Sequence, residues 1–201
     1  MKAESVAFAV AGMCFGVILG WVLATQEASR SSLSLPATVP AAAPAAANQR
    51  QAPALDQEKV KTLQAAIEKD PRNAANYAQL ANAYFDAEQY PSAIDNYERS
   101  LKLNPNDADV STDLGVSYFY TNRTDEALAQ FERSLKISPD HTKTLLNKGI
   151  VLAFGKENLE AAAKEWKRVV ELAPNSPEGQ RARQALEGVE AAHARQGTTN
   201  Q

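Results

Sequence analysis

The chain has 201 residues, 21 basic against 24 acidic side chains and a formal net charge of −3. That size holds one modest domain plus flanking segments, and mixed charge without a basic block argues against a nucleic-acid or anionic-surface reader. A single cysteine, Cys14, excludes intrachain disulfides and any cysteine-based metal site.

After a short tail, residues 1–5, no charge occurs from Val6 to Ala24, VAFAVAGMCFGVILGWVLA. As a helix this run spans roughly 28 Å, about one bilayer core. Two readings compete: a retained transmembrane anchor, or a cleaved signal peptide with Val22 and Ala24 before the cut. Length, the weak leading charge (Lys2 against Glu4) and Trp21 at the interface favour the anchor. The charge asymmetry places the N-terminus inside, which in a bacterial inner membrane puts the remainder in the periplasm. Gly12, Gly16, Gly20 and Ala24 fall four apart on one face, a pattern for close helix–helix contact and a possible homodimer. Residues 25–54 contain Pro36, Pro40, Pro44 and Pro53 among Ala and Ser, which forbids a continuous helix. This stretch reads as a flexible linker with a reach between roughly 30 Å and about 90 Å.

Asp56 is an N-cap candidate before QEKVKTLQAAIEKD, a capping helix over 55–70 that Pro71 ends. A repeat then begins. AANYAQLANAYFDAEQYPSAIDNYERSLKLNP (Ala74–Pro105) returns 34 positions on as ADVSTDLGVSYFYTNRTDEALAQFERSLKISP. It returns again as TKTLLNKGIVLAFGKENLEAAAKEWKRVVELAP, with one residue added in FGKENLE. Apolar residues recur at helical spacing within each copy, as in Tyr77, Leu80, Ala81, Tyr84 and Ala93, Ile94, Tyr97, Leu101. Each copy is therefore two short amphipathic helices that bury their apolar faces only by stacking. The segments are 74–107, 108–141 and 142–175, followed by a C-terminal capping helix at 176–196 and a disordered tail at 197–201.

The pattern resembles the tetratricopeptide repeat, W-x2-L-G-x2-Y, then A-x3-F, then P. Leu80 and Leu114, Ala81, Gly115 and Gly149, Tyr84 and Tyr118, Ala93, Ala127 and Ala162, and Tyr97, Phe131 and Trp166 carry it. Tyr77, Ser111 and Leu145 stand where Trp is usual, and Lys148 replaces Leu, which predicts looser packing of that first helix. The resemblance implies an all-α, right-handed superhelical solenoid whose first helices line a concave groove, here preceded by one transmembrane helix.

Mapped by that resemblance, the groove positions include Asn82 and Phe85; Val116, Phe119 and Tyr120; and Lys143, Leu146, Ile150 and Phe154. The family's carboxylate clamp for acidic C-termini is not matched: Asn82 and Lys143 fit, while Ala78, Asp113 and Asn147 do not. No catalytic motif, phosphate loop or metal-ligand spacing is present, so neither an enzyme nor a cofactor is expected. His141 is expected as an exposed loop residue. The expected function is a membrane-tethered scaffold that binds a peptide or helix of a partner protein. Two alternatives stand beside it: an accessory factor in envelope complex assembly, such as c-type cytochrome biogenesis, and a self-associating structural protein without a client.

Overall fold

A computed structural model describes the backbone of residues 52–199 and the side chains of residues 52–191. The apolar run at 6–24, its glycine face and most of the linker lie outside the described residues. Among the described residues there are eight helices and no strand. They are α1 (Gln57–Lys69), α2 (Ala74–Asp86), α3 (Tyr90–Leu103), α4 (Ala108–Tyr120), α5 (Thr124–Ile137), α6 (Thr142–Gly155), α7 (Leu159–Leu172) and α8 (Pro177–Thr199). Among the described residues no helix is long and apolar enough to cross a membrane.

The periodic sequence sets periodic ends. Each of α1, α3, α5 and α7 closes on a C-cap residue, Asp70, Asn104, Ser138 or Ala173, whose N–H donates to a carbonyl four residues back. The next residue is always proline, which lacks an N–H and holds its predecessor away from helical dihedrals. Asp56, Asn73 and Asp107 accept backbone N–H groups at the starts of α1, α2 and α4, and the Ser176 hydroxyl accepts from Gly179 at the start of α8. The turns inside the hairpins each carry one residue in the left-handed region: Glu88, Asn122 and Glu157. The added residue of the third copy lies here. It lengthens α6 to 14 residues against 13 for α2 and α4. It also widens the closing bond from Gln89 N–H to Tyr84 O and Arg123 N–H to Tyr118 O into Asn158 N–H to Leu152 O.

Each hairpin packs its two helices together and against the helix before and after it, giving a solenoid of three hairpins (α2–α3, α4–α5, α6–α7). The first helices α4 and α6 also touch each other, as do α6 and α8, while no two second helices approach as closely. The first helices therefore form the inner layer. The core runs along the stack as a chain of small clusters: Val60 and Leu63 with Leu80 and Ala83; Ala93, Ile94, Tyr97 and Leu101 with Val110 and Leu114; Ala127 and Phe131 with Val151; and Leu145, Trp166 and Val169 with Ala182 and Val189. Gly115 and Gly149 let the aromatic ring of the second helix lie on the backbone of the first. A Cβ at 115 would meet Phe131 at 2.6 Å, and one at 149 would strike the Trp166 ring.

Two ends close the array. α1 is a lone second helix, and α8 starts in the register of a first helix. Where repeats turn Tyr77, Leu80, Ala81 and Tyr84 onto a second helix, α8 carries Gln180, Arg183, Gln184 and Glu187. A polar face there needs no further partner. The helix runs on through Thr199 and so includes residues 197–199, expected above as part of a disordered tail. Lys148, expected to loosen the third hairpin, is instead only 16% exposed and bridges Glu132 of α5 (2.6 Å) and Glu165 of α7 (2.8 Å). Burial pulls its ammonium pKa down, but hydrogen bonds to the two carboxylates outweigh that and leave it above the usual lysine value.

Candidate functional site

The inner layer is almost free of charge. α2 carries only Asp86, α4 only Asp109 and Asp113, and α6 only Lys143 and Lys148. Successive helices set equivalent positions side by side, so the face divides into rows. Asp109, Asp113 and Lys143 lie near the helix starts. Asn82, Val116 and Ile150 occupy the middle. Phe85, Phe119, Tyr120 and Phe154 lie toward the helix ends.

At the first row, Lys143 pairs with Asp113 (2.8 Å) and Asp109 (3.7 Å). Burial pushes the Asp113 carboxyl above its usual range, and Lys143 offsets this only in part. Behind this row sit three fully buried hydroxyls. Thr112 Oγ1 lies 2.6 Å from Thr144 Oγ1 and 3.0 Å from Ser134 Oγ, and Ser134 lies 2.8 Å from Thr144. Thr112 and Ser134 both reach the Ala108 carbonyl. His141, which stands where Asn73 and Asp107 cap the earlier repeats, makes no cap bond. Its Nδ1 lies 2.6 Å from Thr144 Oγ1 and its Nε2 3.4 Å from Asp109. It is therefore a packed junction residue and not the exposed loop histidine expected above.

In the middle row, Asn82 is exposed and accepts a 2.6 Å hydrogen bond from the Tyr97 hydroxyl. Burial, followed by the charges of Asp113 and Asp86, pushes that hydroxyl well above the usual tyrosine range. Val116 is half-buried against the Phe131 cluster. In the third row the aromatics cover one another. Tyr90, from the start of α3, stacks on Tyr120 at 4.6 Å and 7°, and Phe85 meets both edge-on at 5.4 and 5.9 Å. Phe119 leans on Tyr120 and packs beside Gly155. Tyr90 was absent from the sequence-based set because its position lies on a second helix. Its neighbour Pro91, which fixes the start of α3, was the available signal.

The third repeat contributes less than expected. Leu146 is 5% exposed and lies in the cluster with Trp166, Ala182 and Val189; Ile150 is half-buried against it. α8 takes the place of a fourth first helix and covers this part of the face. Phe154 stays out, 62% exposed at the end of α6. The open face is thus Asn82, Phe85, Asp86, Asp109, Asp113, Val116, Phe119, Tyr120, Lys143 and Phe154. A separate open depression of about 920 Å³ lies between α7 and α8, lined by Lys164, Lys167, Arg168, Glu171 and Leu186 among others. Among the described residues no group of His, Cys, Asp and Glu could hold a metal ion.

A sequence profile for the tetratricopeptide repeat matches residues 78–142 and again 112–177. No curated protein sequence matches the chain. Solved structures do. A MamA crystal structure is 26% identical with a TM-score of 0.52 over 57% of this chain, which spans 62% of the MamA chain. The first repeat domain of Spaghetti (RPAP3), solved with the HSP90 peptide SRMEEVD, is 27% identical with a TM-score of 0.55, covering 62% of this chain and 96% of that one. The Arabidopsis OM64 repeat domain, 17% identical at a TM-score of 0.53 over 58% of this chain and 93% of its own, shares the fold. Profile, period and hairpin stack agree, and the chain belongs to the tetratricopeptide repeat family.

Proposed function

We propose that the protein is an interaction module that holds a segment of a partner protein across its inner helix layer, tethered to a bacterial inner membrane through residues 6–24 with the repeats on the periplasmic side. The observation that carries the binding reading is the inner layer itself. It is nearly free of charge yet partly open, and Phe154 is left 62% exposed where nothing in the stack needs it. The peptide held by the RPAP3 neighbour supports a peptide segment as the ligand class. The tether rests on the uncharged run and the proline-rich spacer after it. An activity on a small molecule has no support among the described residues, whose polar side chains are paired within the fold or solvated.

Site-specific photocrosslinking in cells tests the binding reading. A crosslinker at position 116 or 154 should capture a partner that one at position 102, on the outer layer, does not. Equal capture from both layers, or none, would overturn it. The tether is tested on the same cells. Alkaline extraction should leave the full-length chain in the membrane, and a chain beginning at residue 25 would show a cleaved signal instead.

A further inference from the structure

Resting on the reading that the inner layer holds a protein segment, we propose that this segment is cationic: Lys or Arg side chains among apolar residues, their charges seated at Asp109 and Asp113 and at Asp86. The three first helices hold five charged side chains. Lys148 is committed between Glu132 and Glu165 and is turned away from the face. That leaves three carboxylates against one ammonium, Lys143, and Lys143 is shared between two of the three. Asp109 already meets the His141 imidazole (3.4 Å) and Lys143 (3.7 Å) but is 70% exposed, so its open side keeps room for a cation from the ligand.

The two rims complement each other. One presents Asp109 and Asp113; the other presents the exposed Asp86 at the end of α2. The middle row between them, Asn82 and Val116, carries no charge. Such a face selects by sign, since a carboxylate on the ligand would approach three like charges with one compensating cation. An acidic peptide such as SRMEEVD is therefore the wrong class for this groove. Asp113 adds a further reason. Its carboxylate is already disfavoured by burial, and an incoming cation relieves that. The second helices cannot select in this way, because each of them carries both signs in nearly equal number.

Random-peptide display on the immobilised full chain should enrich Lys and Arg over Asp and Glu. An enriched basic peptide should bind an Asp109→Asn/Asp113→Asn double variant at least about tenfold more weakly, with affinity falling as salt rises. Asp95→Asn, on the outer face of α3, should leave its binding unchanged. Enriched peptides without basic residues, still weakened by Val116→Gln or Phe154→Ser, would overturn the charge assignment and leave the groove reading standing. Peptides indifferent to those two substitutions, or no enrichment at all, would overturn both. A crosslinker at position 116 that joins only residues 1–51 of its own chain, or a second copy, would replace the cationic partner with that occupant.

Discussion

The two layers of the solenoid are built from helices of nearly equal length and opposite character. The first helices α2, α4 and α6 carry five charged side chains; the second helices α3, α5 and α7 carry fifteen. Packing explains much of this. A first helix touches its own second helix, the second helix before it and, at α4 and α6, the next first helix, so most of its circumference is covered. A second helix keeps one broad face in water. The difference teaches where to look for function. Most charge on the outer layer is ordinary solvation, whereas a charge or ring left open on the inner layer departs from what the stack requires.

The same residue type placed in each layer gives the sharpest test. Phe131 is fully buried on α5 against Gly115, so Phe131→Ala should cost about 3–5 kcal/mol in chemical denaturation. Phe154→Ala on the inner layer should change stability by no more than about 0.5 kcal/mol. Similar losses at both would mean that Phe154 serves the fold and would remove the main support for the groove. Next in size is Lys148→Leu. It restores the residue the repeat pattern prefers, yet it strands Glu165 and should cost about 2 kcal/mol. A stabilised variant would show that the ion bridge only tolerates a misplaced charge.

The smallest effect has a sign set by pH. The folded Asp113 carboxyl titrates above its unfolded value, so folding binds its proton more tightly. Its contribution to stability is then present at low pH and lost as pH rises through the folded value. Asp113→Asn, which mimics the neutral acid, should therefore stabilise the protein at neutral pH, with the gain fading on acidification into the carboxylate range. A loss of stability at neutral pH would mean that the Lys143 pair outweighs burial.

Much of the architecture could be read from period alone, because the constraints repeat: a small residue at 81, 115 and 149, a ring at 97, 131 and 166, a proline after every second helix. The site was less legible because its outcome depends on pieces that do not repeat. Leu146 shares its register with Ala78 and Thr112, and only the approach of α8 decides that it is buried. The self-covering of Phe85 and Tyr120 depends on Tyr90, a residue outside the inner layer. Lys148 looked like a defect because its partners, Glu132 and Glu165, lie 16 and 17 residues away on two other helices.

The buried hydroxyls of Thr112, Ser134 and Thr144 bear on the array as a piece of chain made of look-alike units. Thr112 is replaced by Ala78 and Leu146 at the equivalent places, and Thr144 by Asn76 and Val110. The trio closes only where the second hairpin meets the third. Duplicating, deleting or permuting a hairpin would leave a hydroxyl facing an alkyl group or a mismatched amide in a dry contact. The repeats are therefore not interchangeable tiles. Their order is written into the junction.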